Sequence, residues 1–209
     1  MVIQWYGEGC FKISAGPLTI MTDPNEKESG LAKPKFKADI IVKTKLNPPA
    51  PNKGIERDES EETHEILGPG DYEVKGVPIT GWALKNSSSN GTLKTVYKLR
   101  FDDMSLGFLG EISNFADPSI IEEIGDIDIL FVPAGNGGLL ETKEAAKIVR
   151  QIEPRLLIPT HFKVKDLKRK ADGPEAFLKE LGMSAQAQDK LTIKRKDLSE
   201  KMQVALLKI

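Results

Sequence analysis

Apolar and polar positions alternate in short runs through the first half of the chain. Residues 3–6, 11–13 and 18–21 repeat with a period of two, and Gly7, Gly9 and the Gly16-Pro17 pair separate them. That period puts successive side chains on opposite faces of a sheet, so the runs predict strands joined by tight turns. Residues 40–42, Ile-Ile-Val, are continuously apolar and suit a buried strand. Pro48, Pro49 and Pro51 follow, then a charged stretch over 56–62. Proline removes backbone donors, and no apolar face survives there, so an exposed loop is expected. Further strands are predicted at 64–67, 72–74, 77–79, 93–101 and 106–109, with a polar Ser/Asn/Gly loop over 86–91.

The period changes in the second half. Residues 117–125 read as a short helix, with Asp117 as its cap, Pro118 at the first helical position and Gly125 at its end. Residues 142–152 form an amphipathic pattern with Ala145, Ile148, Val149 and Ile152 on one face. A helix is also predicted over 174–181, ended by Gly182. Strands are expected at 127–132, 156–158, 191–193 and 204–209. Strands first and strand–helix alternation afterwards predict sheets covered by helices. No internal repeat and no dividing linker is visible, so residues 1–209 are expected to form one domain.

Composition narrows the function classes. Hydrophobic residues make up 39% and charged residues 29% of 209, enough to build a core without disulfides. Thirty basic and 31 acidic residues leave a net charge of −1, so no global field draws the chain to nucleic acid or an anionic membrane. Cys10 is the single cysteine, the N-terminus lacks the pattern of a secretion signal, and no apolar run approaches the ~20 residues of a membrane span. A cytoplasmic protein is expected. The two histidines, His64 and His161, matter most. Zinc takes at least three protein ligands, so a histidine-rich two-metal site is excluded by count.

Four stretches carry a family resemblance. The first is Trp5-Tyr6-Gly7-Glu8-Gly9-Cys10-Phe11 with Leu18-Thr19-Ile20-Met21-Thr22-Asp23-Pro24. The second is Ala38-Asp39-Ile40-Ile41-Val42, and the third Gly68-Pro69-Gly70-Asp71-Tyr72-Glu73-Val74. The fourth runs from Leu109-Gly110-Glu111 through Asp126-Ile127-Asp128-Ile129-Leu130-Phe131-Val132-Pro133 to Ile158-Pro159-Thr160-His161-Phe162. In this order they resemble the metallo-β-lactamase fold, most of all small Zn-dependent hydrolases related to L-ascorbate-6-phosphate lactonase. The resemblance implies an α/β protein, a four-layer αββα sandwich with its site at one rim of the two sheets. It also implies a His-x-His-x-Asp-His motif after the Ala-Asp-Ile strand, whose metals make hydroxide at neutral pH.

Here Lys45, Asn47, Pro49 and Ala50 stand at those four positions, and Glu8 replaces another family histidine. Glu111 takes the place of the bridging aspartate, residues 86–91 bring no histidine, and only His161 matches its ligand position. The expectation is a degenerate metal site with no cofactor, its vestigial pocket formed by Glu8, Asp23, Lys45, Asn47, Glu111 and His161. Lys45 would supply the charge of the lost metals and tie Glu8, Asp23 and Glu111 together. His161 would then be a hydrogen-bonded histidine of a former pocket. The function expected is a non-catalytic binding or structural protein with an unidentified small-molecule or protein partner, no membrane contact and a homo-oligomer as the family's habit.

Two alternatives stand beside it. One is a divergent hydrolase of ester, lactone or phosphate bonds with one Zn or Mn held by Glu8, Asp23, Glu111 and His161. The other is weak nucleic-acid binding through Lys163, Lys165, Lys168, Arg169 and Lys170 or residues 194–196, clusters that also read as a solvated face. Gly135-Asn136-Gly137-Gly138 reads as a plain turn before a helix capped by Thr142 rather than a phosphate loop. Cys10 reads as a small buried hydrophobe and His64 as structural.

Overall fold

The structure is a computed structural model that describes residues 1–47, 63–85, 88, 91–115 and 118–209. The loop expected at 56–62, the positions Pro49 and Ala50, the Asp117 cap and most of 86–91 lie outside the described residues. In chain order the strands begin β1 (Val2–Trp5), β2 (Phe11–Ala15), β3 (Leu18–Thr22), β4 (Ile40–Lys43), β5 (Lys45–Leu46), β6 (His64–Leu67), β7 (Gly70–Val74), β8 (Val77–Ala83), β9 (Leu93–Phe101) and β10 (Met104–Phe108). Then follow α1 (Pro118–Ile124), β11 (Ile129–Pro133), α2 (Thr142–Ile152), β12 (Leu156–Thr160) and α3 (Glu175–Glu180). The chain closes with β13 (Ala187–Gln188), β14 (Leu191–Thr192), β15 (Gln203–Val204) and β16 (Leu206–Leu207).

Among the described residues these strands make two large sheets. One has the order β14-β1-β2-β3-β4-β6; the other runs β15-β12-β11-β10-β9-β8-β7, with β5 added beside β9. The two-residue alternation does what it predicts. Ile3, Trp5, Phe11, Ile13, Ile20, Ile40 and Val42 face inward and meet Ile79, Leu99, Leu106, Phe108, Phe131 and Ile158 of the second sheet. Each such fully buried aliphatic or aromatic side chain contributes ~1.5–3 kcal/mol. The outer face of the second sheet packs Leu130, Val132 and Leu157 against Ile120, Ile124, Ala145, Ile148, Val149, Phe177 and Leu178 of the three α-helices. The outer face of the first sheet carries Cys10, Met21 and Ala38 with Tyr6, Phe36 and Ile41. This is the α/β sandwich expected.

Several local expectations shift. The strand read over 204–209 is two short strands in different sheets, because Ala205 turns inward between them. Helix α2 is not capped by Thr142. Its N-cap is Glu141, and the Thr142 amide donates to Asn136 Oδ1 at 3.0 Å, so the glycine-flanked loop supplies the cap from six residues upstream. None of the described helices is long and apolar enough to cross a membrane.

Candidate functional site

Strand ends converge at one rim of the sandwich. The β1–β2 turn brings Glu8 and Gly9, the end of β3 brings Asp23, the residues after β4 bring Thr44 and Lys45, the residues after β10 bring Glu111, and the end of β12 brings His161. Glu8, Asp23 and His161 all have positive φ, at 48°, 34° and 54°. Non-glycine residues seldom hold that conformation, and it collects where a surrounding structure over-determines the backbone. Gly9 sits between two of them: a Cβ there would lie 2.8 Å from Asp23 Oδ2 and 3.1 Å from His161 Cε1. Only a bare backbone lets those side chains approach each other.

Asp23 accepts two hydrogen bonds from Thr44, from the amide to Oδ1 and from the hydroxyl to Oδ2, both at 2.7 Å. Burial nevertheless outweighs them, and with the repulsion of Glu111 it pushes the carboxyl up to about 7. The sign of the pH effect follows. A carboxyl whose folded pKa exceeds its unfolded one binds its proton more tightly in the native state. Its contribution is therefore present at low pH and lost as pH rises from about 4 to about 7. We expect Asp23→Asn to gain stability relative to the parent across that window, by on the order of 2–4 kcal/mol at pH 8 compared with pH 4. Urea melts at the two pH values measure it, and a pH-independent difference would contradict the assignment.

The other acids are matched by side-chain cations. Lys45 Nζ lies 3.0 Å from Glu111 Oε2. Register places Lys45 directly opposite Lys94 on β9, a like-charge pair that weakens a ladder. Glu111 relieves it by taking Lys45 on its carboxylate and the Lys94 ammonium on its carbonyl. Burial would raise the Glu111 carboxyl, but His161 while it is protonated, and Lys45 and Lys94, hold it below the usual range. Burial pulls Lys94 down, and the charge of Lys45 adds to that. Lys45 itself is held above its ordinary value, because Glu111 outweighs the cost of burial. Glu8 is taken by Arg169 instead, with Nε to Oε2 at 3.1 Å and Nη2 to Oε1 at 3.2 Å. Lys45 thus pairs with one acid of the three expected, while a second cation serves Glu8. Asn47 accepts from the Thr92 hydroxyl at 3.3 Å.

His161 is 1% exposed. Its Nδ1 lies 2.8 Å from Thr160 Oγ1, and its Nε2 has no hydrogen-bond partner. Burial lowers its pKa more than Glu8 and Glu111 raise it, so the ring is neutral at pH 7. Glu8, Gly9, Asp23, Lys45, Asn47 and Glu111 line one cleft of about 870 Å³. The structure therefore brings these residues of the sequence pattern to one place, with His161 against Gly9. Three contributors escape the sequence. Thr44 is one polar residue after a strand, Lys94 is one lysine of an alternating strand, and Arg169 reads as part of a solvated basic cluster. Arg169 is in fact three-quarters buried, its side chain only 25% exposed. His64 is exposed at the start of β6, away from the cleft lining. The Cys10 thiol is buried and pushed up to about 12, mainly by burial, so it is no nucleophile at neutral pH.

A sandwich of two mixed sheets with a rim site at the ends of β3, β4, β10 and β12 defines a class. The Beta-lactamase superfamily domain model matches residues 2–161, and the chain belongs to that superfamily. A UPF0173 metal-dependent hydrolase of Thermoplasma acidophilum is 27% identical over 207 residues, covering 84% of this chain and 88% of its own. One from Thermococcus onnurineus is 31% identical over 122 residues, 56% of this chain and 54% of that one. The chain spans about half the length of several curated relatives it matches. Among solved structures, a Zn-dependent-hydrolase candidate of the metallo-β-lactamase superfamily from Thermotoga maritima superposes with a TM-score of 0.78 at 25% identity, over 100% of both chains.

These relatives correct one expectation. The sequence alone suggests no cofactor, but the proteins this chain resembles are named metal-dependent, which points to a metal for the family. That expectation rests on the scarcity of histidines and the lost motif positions, and it gives too little weight to oxygen donors and to His161. The geometry gives a mixed answer on fit. His161 Nε2 is a buried donor atom with nothing bound to it. Yet among the described residues no three His, Cys, Asp or Glu side chains come together to hold an ion, and Glu8 and Glu111 face Arg169 and Lys45. The described donor set does not by itself fit a metal.

Proposed function

We propose that the chain is a divergent hydrolase that opens ester, lactone or phosphate bonds of a small substrate in the rim cleft. One observation carries this reading: the buried imidazole of His161, its Nε2 unpaired, and the Asp23 carboxyl both close on Gly9. Burial shifts the two groups in opposite directions, His161 down and Asp23 up. Just below pH 7 the imidazole is therefore neutral and the carboxyl protonated. Titratable neighbours pushed apart in this way suit a general base and a general acid.

The chemistry balances with this chain's own groups. With a water admitted from the cleft past Gly9, His161 Nε2, buried in the structure, takes a proton from it as the water oxygen bonds to the carbonyl carbon or phosphorus. The bond to the leaving oxygen breaks, and Asp23 returns a proton to it. Lys45 lines the same cleft and would meet negative charge developing on a substrate there. The family match and the relatives' names support hydrolysis, and the substrate is the unidentified small-molecule partner of the cleft.

The test uses the full chain with p-nitrophenyl acetate, a γ-lactone and bis(p-nitrophenyl) phosphate. Each is run after chelator treatment and again with added Zn or Mn. Turnover of at least one class is expected, falling above pH 7 as Asp23 loses its proton. No turnover above blank under any condition would end the hydrolase reading. The observation favouring a second reading, a binding protein without turnover, is the neutralisation of Glu111 and Glu8 by Lys45 and Arg169. Saturable ligand binding in the cleft without turnover would select it.

A further inference from the structure

Arg169 closes a ring of contacts around the two strained residues of the rim. Its guanidinium holds both oxygens of Glu8, at 3.1 and 3.2 Å, and Nη2 also donates to the His161 carbonyl at 2.5 Å. The ring is completed by the His161 amide, which donates to the Glu8 carbonyl at 3.3 Å. Glu8 and His161 are thus tied to each other through their backbones and to one guanidinium through a side chain and a carbonyl. Both have left-handed φ. Neither residue type prefers that conformation, so something outside the local sequence must hold it.

The remaining face of Arg169 anchors the guanidinium itself. Nη1 donates to the carbonyls of Asn136 at 3.2 Å and Lys170 at 3.1 Å. The adjoining loop is built to let it in, since a Cβ on Gly137 would lie 2.7 Å from Nη1. A planar fork with fixed donors suits this job, and a lysine ammonium, a single point of charge, cannot reproduce it.

We propose that Arg169 is a positioning residue for His161: it fixes the main chain at the end of β12 so that the imidazole stands beside Gly9 and Asp23. The catalytic consequence rests on the hydrolase reading above; the positioning itself does not. Arg169 touches the carboxylate of Glu8 and the carbonyl of His161, not the imidazole, so it acts through the backbone.

The chain's histidine count makes a direct test feasible. With only His64 and His161 present, a ring-labelled sample gives two imidazole signals, and a His64→Gln chain assigns them. We expect Arg169→Lys to shift or broaden the His161 signal while the His64 signal stays in place. On any substrate the parent turns over, kcat should fall at least tenfold with KM within about threefold. In Arg169→Ala, millimolar guanidinium chloride should restore the parent His161 signal, and equimolar NaCl should not. An unchanged His161 signal in Arg169→Lys overturns the proposal. So does equal recovery of Arg169→Ala in NaCl, which would show a general salt effect. If the parent turns over nothing, the hydrolase reading fails alone, and the imidazole signals still decide the positioning. If Arg169→Ala does not fold, the His161 signal of Arg169→Lys, which keeps the charge, decides between the two outcomes.

Discussion

A His161→Ala chain should fold much as the parent does and lose at least ~100-fold in kcat, the contribution general acid–base groups typically make. The two halves of that expectation have separate causes. Truncating a buried imidazole leaves a cavity, which costs stability. It also removes a buried nitrogen with no partner, whose desolvation penalty is ~1–3 kcal/mol. The lost hydrogen bond to the buried Thr160 hydroxyl adds to the cavity cost, so the partial offset leaves a net destabilisation of about 1–2 kcal/mol. The catalytic loss has no such offset, because no other described histidine lies beside Gly9 at the cleft wall. A purely structural histidine predicts the reverse pattern, with a larger fall in melting temperature and turnover within twofold. Thermal melts beside initial rates separate the two directly.

A large loss of stability is expected at Gly135. Its missing side chain lies against the end of β12: a Cβ there would lie 2.6 Å from Phe162 Cα and closer still to the His161 carbonyl oxygen. Both are backbone atoms, so no rotamer change relieves the clash. The loop after β11 and the end of β12 would have to part where Ala134 donates to the Thr160 carbonyl at 2.9 Å. Overpacking a core costs ~1–3 kcal/mol even when side chains can adjust, so Gly135→Ala should cost about 3 kcal/mol or more. For a chain of this size that is roughly a 10 °C drop in melting temperature. Gly107→Ala is the matched control. There a Cβ meets the methyl ends of Ile127 and Leu130 at 3.2 Å, which can give way. Equal effects at the two glycines would show that backbone crowding is not the cause.

Much of this fold is legible in the sequence because it depends on local pattern. The helix over 142–152 is legible to the residue, since its apolar face repeats every turn and nothing else competes. The buried strands 129–133 and 156–160 declare themselves as apolar runs. What escapes is long-range. The Lys45–Leu46 strand is too short to show periodicity and exists because β9 pairs with it. Asn136 caps α2 from outside the helix, so the Thr142 signature misleads.

The site divides along the same line. Glu8, Asp23, Lys45, Asn47 and Glu111 are found through motif positions, and the fold gathers them in one cleft. Arg169 could not be found that way. It follows the matched segment, which ends at residue 161, and sits among lysines that face solvent. Its importance comes from the carboxylate and carbonyls it meets, and a single sequence does not display them. The cofactor expectation fails for a related reason. Counting histidines is sound arithmetic against a histidine-rich site, but it does not exclude a metal in a family whose members are named for one.

The ion pair between Glu8 and Arg169 joins residues 161 positions apart. At ~5–20 residues per second, a ribosome delivers the arginine roughly 10–30 s after the glutamate. By the end of that interval the strands that frame the rim have been synthesised, and the first sheet lacks only its late edge strand β14. The acid waits in water, where its charge costs nothing. The left-handed turn at the end of β12 lacks the guanidinium that holds its carbonyl until eight more residues have emerged. Assembly of the scaffold and completion of the site are therefore separate events in the life of each chain, and the second belongs to the finished polypeptide.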